Sequence, residues 1–226
     1  MKKNYFLLLT TVIFSTVMSF GQISIGPKVG LNFATITADS DASEGKGSAT
    51  GLNAGAVINI GINDMFSIQP EILFNQKGVK YGFDILGVSA KTVIKESYLD
   101  IPVLAKVAFG GESVKGFVNA GPYLGYALSR SGYSEVDGEK TDMDSEDLEY
   151  DDDDSDGSKS NRLDLGLAFG AGVQFAAGPG NLFVEARYWL DFTDAVKYDE
   201  TPDDYTATKN RVFAVSVGYL FTLGGE

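Results

Sequence analysis

Two groups of residues have the types and spacing to do chemistry. Between Glu135 and Asp156, thirteen Asp or Glu stand against a single base, Lys140. Within that run Asp152, Asp154, Asp156 and Gly157 repeat the D-x-D-x-D-G opening of a calcium loop, where a tight turn brings alternate carboxylates onto one hard cation. The rest of that pattern is missing: Leu163 stands where the closing bidentate Glu belongs, and Lys159 where an apolar residue belongs. The run therefore reads as a solvated anionic loop, extended by its own repulsion, with only weak, screened attraction for cations at the three aspartates.

The second group is Glu71, Asp100, Asp164, Glu185 and Asp191 with Lys28, Lys106, Arg162 and Arg187, nearly balanced in charge and spread over the chain. Paired carboxylates can act as general acid and base. The competing reading is a set of ion pairs filling an interior, and it is preferred. The chain has no His, so neither a Ser-His-Asp arrangement nor a His-dependent barrel acyltransferase or protease can be assembled, whereas a carboxylate-only hydrolase is not formally excluded. With no Cys there is no thiolate metal site and no disulfide. Gly166, Gly170 and Gly172 alternate within a strand-like segment with no helix following, so they cradle no phosphate. No catalytic residue and no cofactor is assigned.

The elements that must position these groups are strands. Apolar residues alternate with polar or small ones over roughly 24–36, 51–62, 65–78, 94–109, 115–129, 161–176, 181–193 and 211–223, and no segment sustains a helical period. The connections alternate too: short at Asn63-Asp64, Gly110 to Val114 and Ala177 to Gly180, long at 37–50, 79–93, 130–160 and 194–210. That rhythm predicts an all-β fold, an eight-stranded antiparallel up-and-down transmembrane β-barrel with short periplasmic turns and long external loops.

A soluble barrel of the lipocalin type would alternate as well, so the faces decide. One face carries Leu52, Ala54, Ala56, Ile58 and Ile60, then Phe66, Ile68, Ile72 and Phe74, then Leu99, Ile101, Val103, Ala105 and Val107, and further on Leu163, Leu165, Leu167 and Phe169 and then Leu182, Val184 and Tyr188, with no charge among them. The opposite face carries the nine charges of the second group among glycines such as Gly55, Gly121 and Gly125. Charges and small residues suit a narrow lumen. A Lys or Arg at the midplane facing lipid would cost about 2–4 kcal/mol, and this assignment asks it of none.

Lys2 and Lys3 precede an apolar run from Tyr5 to Phe20 that ends in small residues, Ser19 and Gly21. This reads as a secretory signal peptide over residues 1–21, too short for the roughly 20 apolar residues of a spanning helix, with the barrel domain occupying 22–226. Its removal takes the formal charge of −13 down by the two lysines, which argues against a nucleic-acid partner.

Aromatics near the short turns, Phe66, Phe109, Phe117, Phe175, Phe183, Tyr219 and Phe221, are expected to form a lower interfacial belt, with Tyr126, Tyr188 and Phe192 in an upper one. Pro70, Pro102 and Pro122 lie within strands, where bulges or bends are expected. Near the C-terminus Ser216, Gly218, Phe221 and Leu223 resemble the signal read by the barrel-assembly machinery, with Leu223 aliphatic where that signal is aromatic.

Phe66-Ser67-Ile68-Gln69-Pro70-Glu71-Ile72-Leu73-Phe74 followed by Lys77-Gly78, then Tyr98 to Lys106 (YLDIPVLAK), Ala120 to Gly125 (AGPYLG) and Phe169 to Val173 (FGAGV), resemble the outer-membrane β-barrel domain of Bacteroidetes, often called the porin or PorT family. The resemblance spans essentially the whole mature chain. It implies an eight-stranded barrel in the bacterial outer membrane, and says little about activity. About eight strands leave an interior only wide enough for side chains, so an open diffusion channel is not expected. The expectation is a non-enzymatic integral outer-membrane protein, an anchor in outer-membrane lipid displaying external loops for envelope structure or interaction. The alternatives are a narrow porin-like channel for small solutes and an accessory component of a secretion or gliding complex.

Overall fold

The computed structural model describes residues 22–37, 46–85, 88–144, 148, 150, 158–198 and 207–223. The segment 1–21 expected to be a signal peptide and the aspartates Asp152, Asp154 and Asp156 lie outside the described residues. Eight long strands carry the architecture: β1 (Ile23–Thr37), β2 (Lys46–Gly61), β3 (Phe66–Ile85), β4 (Val88–Gly110), β5 (Val114–Val136), β8 (Leu163–Ala177), β9 (Gly180–Asp191) and β11 (Lys209–Leu223). Three short ones complete the order: β6 (Glu139–Asp142), β7 (Ser158–Ser160) and β10 (Val196–Tyr198).

Each long strand pairs antiparallel with its neighbours in sequence, and the ring closes where β1 meets β11, so the order β4-β3-β2-β1-β11-β9-β8-β5 returns to β4 through the β4–β5 pairing. An antiparallel ring closed in this way leaves the long strands without free edges. The short turns form at one end. Asn63 Oδ1 accepts from the backbone N–H groups of Met65 and Phe66 at 2.9 and 2.8 Å, an Asx turn that sets the β2–β3 hairpin. Gly178, at φ 60°, turns β8 into β9.

The alternation of the sequence becomes two faces. Outside, Val29, Leu52, Ile72 and Leu165 are each at least half exposed, whereas inside Glu71, Arg187 and Asp191 are at most 1 % exposed. Charges inside and uncovered aliphatics outside invert the arrangement that water favours, and lipid against the outer wall is the solvent that makes it stable.

The wall is taller than the alternation indicated. The expected loop at 79–93 is mostly strand: β3 runs on to Ile85 and β4 begins at Val88, paired from Ile85↔Val88 downward. Likewise β5 continues to Val136 and turns through Asp137 and Gly138, both at positive φ, into β6. Beyond Phe74 the outward positions of β3 are Gln76, Gly78, Lys80 and Gly82, while Val79 and Tyr81 take the inward parity, so apolar residues no longer mark the outer face although the segment is still hydrogen-bonded as strand. At the prolines no register shift occurs. The ladder skips two pairs beyond Pro70 and two beyond Pro102 and resumes in the same register, and Pro122 stays opposite Leu167. Each proline costs a donor without adding a residue, which is all a bulge is. The shifts lie instead between Ser48 and Asn53 and between Ser97 and Tyr98.

Candidate functional site

Inward-facing side chains arrange themselves in layers across the lumen. The layer nearer the short-turn end joins β1, β3 and β9. Arg187 donates to both oxygens of Glu71 at 2.7 Å each, a bidentate pair across the ring, since β3 and β9 stand four strands apart. Arg187 also reaches Glu185 Oε1 at 2.8 Å, and Lys28 Nζ donates to Glu185 Oε2 at 2.5 Å. Gln69 and Asn119 donate to Glu71 and Glu185 at 2.6 and 2.7 Å. Two cations thus meet two carboxylates, and every carboxylate oxygen has a donor. Lys106 lies inside but below this layer, with Nζ 3.0 Å from Gln174 Oε1 and 4.1 Å above the Phe117 ring.

The upper layer carries an excess of carboxylates. Lys77 Nζ lies 2.5 Å from Asp164, 3.2 Å from Asp191 and 3.6 Å from Asp100, all buried. Tyr123 donates its hydroxyl to Asp191, and the rings of Tyr98, Tyr123 and Trp189 surround the ammonium at 4.6, 4.8 and 5.9 Å. A chain of amides feeds the same layer: Ser216 donates to Asn53, Asn53 to Asn32, Asn32 to Asn75, and Asn75 to Asp100 at 2.7 Å. Asp100 Oδ1, on the other side of that carboxylate, receives no hydrogen bond. Between the layers Leu73 and Leu104, both wholly buried, pack with Ala168, Val212, Ala214 and Trp189 into an apolar septum.

Of the nine charges expected inside, eight point into the lumen. Arg162 does not. It precedes β8 at the long-loop end of the barrel, its guanidinium 5.1 Å from the outward ring of Tyr126 and its Nε donating to Ala127 O at 3.3 Å. The neighbouring Asn161 side chain turns in to cap Asp194 O, and this break in alternation ahead of the strand moves Arg162 off the inner face. Arg162 and Arg130 together hold Tyr150, at 4.6 and 4.9 Å, while Arg130 pairs with Glu96 and Tyr98 donates to Glu96 at 2.6 Å. Burial there pushes the Tyr150 phenol up to about 12.

Lys77 was not among the expected charges, although it shares the parity of Glu71 on β3, and parity was the signal that would have placed it. The same parity corrects the lower aromatic belt: Phe117 and Phe183 point inward and meet edge to face with centroids 6.4 Å apart, whereas Phe66, Phe109, Phe175 and Phe221 face outward. Tyr126, Tyr188 and Phe192 face outward at the other end. In the C-terminal strand Ser216 and Gly218 face inward, Phe221 and Leu223 outward. A Cβ on Gly218 would collide with the Phe183 ring, so this glycine makes room for an interior aromatic. Among the described residues no group of carboxylates is arranged to hold a metal ion.

Residues 15–197 match the family model described as outer membrane protein beta-barrel domain. The fold is similar to the outer membrane protein OprG from Pseudomonas aeruginosa, at 15 % identity over 91 % of this chain and 97 % of that one, with a TM-score of 0.47. It is also similar to Neisserial surface protein A, at 16 % identity over 88 % and 97 % with a TM-score of 0.42. A third is Ail of Yersinia pestis, solved with the heparin analogue sucrose octasulfate, at 15 % identity over 89 % and 100 % with a TM-score of 0.39. No curated protein sequence matches the chain.

Proposed function

The chain belongs to the outer membrane protein β-barrel domain family, whose place is the bacterial outer membrane, and from that premise we propose that it is a non-enzymatic anchor whose lumen is closed and whose external loops do the work. The observation that carries this reading is the stack of side chains across the lumen: the Arg187–Glu71 pair, the Leu73–Leu104 septum and the Lys77 layer, all buried. Water and ions crossing the barrel would have to break each of these in turn. Among the described residues the carboxylates in the lumen are engaged with cations, amides and the Tyr123 hydroxyl, and none accepts from a Ser or Thr hydroxyl, which supports anchoring over catalysis. The four blocks at 66–74, 98–106, 120–125 and 169–173 support the Bacteroidetes, PorT-like type within the family. Export by the signal peptide at 1–21, and insertion by an assembly machinery reading Ser216, Gly218, Phe221 and Leu223, complete the reading.

The test is single-channel conductance of the refolded mature protein in planar bilayers, with a heat-modifiable gel shift establishing that the barrel has formed. A folded, silent barrel is expected. Stable, reproducible openings would overturn the closed lumen and make the protein a narrow channel.

A further inference from the structure

At the periplasmic end the lumen widens into a cavity of about 400 Å³, bounded by the β2–β3 turn and the lower ends of β3, β4 and β8. Lys106 forms part of its wall and is only 3 % exposed. Buried ammonium groups are ordinarily paired with a carboxylate. Lys106 is not: among the described residues no carboxylate oxygen lies within 4.0 Å of its Nζ, and the two glutamates of the layer above are saturated by Lys28, Arg187, Gln69 and Asn119. Its one hydrogen-bond partner is Gln174 Oε1 and its other close neighbour is the Phe117 ring, 4.1 Å from Nζ, so a single oxygen serves its three N–H groups.

The neighbouring amides are committed in the same sense. Gln174 turns its oxygen to Lys106, and its NH₂ makes no hydrogen bond among the described residues. Asn59 accepts the Ser67 hydroxyl on Oδ1 at 2.9 Å, and its NH₂ likewise makes no hydrogen bond among the described residues. Lys106, Gln174 and Asn59 line the same cavity, and each presents donors there with its acceptor atom, where it has one, turned to the protein. A wall of donors with one buried positive charge is matched by an oxyanion. At the mouth Asp64 and Glu112 oppose Lys115, so the preference lies in the interior and not in long-range attraction.

We propose that this vestibule is a binding site for a small oxyanion, a carboxylate or a phosphate, which enters from the periplasm and completes the ion pair that Lys106 lacks. The site goes beyond the anchoring role and needs no passage through the barrel.

The experiment is a ¹H–¹⁵N titration of the refolded protein in neutral detergent micelles at pH 6.5 and constant ionic strength, with inorganic phosphate in one arm and sodium acetate in the other. Saturable shifts of the Gln174 and Asn59 side-chain amides are expected in at least one arm, and the arm that saturates at the lower concentration identifies the anion class. Two variants, each first verified as folded by its gel shift, test the assignment. Lys106→Met removes the charge, and Gln174→Glu supplies the missing carboxylate from within; each should weaken binding about tenfold or more. The absence of saturable shifts in both arms would overturn the proposal, as would shifts that persist with unchanged affinity in both variants.

Discussion

The two ion-pair layers are built from the same kinds of residue and fail differently. In the lower one two carboxylates are shared between Arg187 and Lys28, with Gln69 and Asn119 filling what remains. In the upper one a single ammonium, Lys77, serves three aspartates, and one oxygen of Asp100 has no donor. A lumen can therefore be closed by a distributed network or by a single cation, and the second arrangement concentrates its dependence at one residue.

Substitutions can break or sharpen this contrast. The largest effect is expected from Lys77→Met, which strands three buried carboxylates and should lower the free energy of unfolding by about 3–5 kcal/mol. The fluorescence of Trp189, the only tryptophan and 5.9 Å from Lys77 Nζ, reports this directly in a urea titration. Glu71→Gln should cost less, about 1.5–3 kcal/mol, because Lys28 and Arg187 keep Glu185 as a partner. Asp100→Asn should have the opposite sign. It removes one of the surplus charges while an amide oxygen still accepts from Asn75, so the urea midpoint should rise by the equivalent of roughly 1 kcal/mol. A fall in the midpoint comparable to that of Glu71→Gln would show the two layers to be equivalent. The smallest effect is expected from Tyr150→Ala at the rim, within about 0.5 kcal/mol in the same titration, since Arg130 retains Glu96.

What the sequence disclosed depended on what the surroundings demand of it. Between the two lipid interfaces each strand must keep apolar residues outward, so period two revealed all eight strands and put Glu71, Asp100, Asp164, Glu185, Arg187 and Asp191 on one face. Above the bilayer that demand lapses, and residues 79–93 looked like a loop although most of them pair in β3 and β4. Lys77 was missed beside Gly78 at the apparent end of a segment, and Phe117 and Phe183 were assigned by nearness to a turn when their parity with Asn119 and Glu185 already faced them inward. The cavity below Lys106 was beyond reach, because an absent carboxylate is a fact about neighbours from β3, β5, β8 and β9, which no local spacing records.

The seam of the ring has a consequence in time. Ile23 pairs with Leu223 and Thr37 with Lys209, so the first strand made waits for the last before its second edge is covered. Bringing such distant segments together costs chain entropy that nearer hairpins avoid, and until it happens β1 and β9 both present free backbone to any passing strand. The ring therefore cannot close before β11 has been made, and a chain cut short of β11 would be a barrel with an open side, exposed to aggregation.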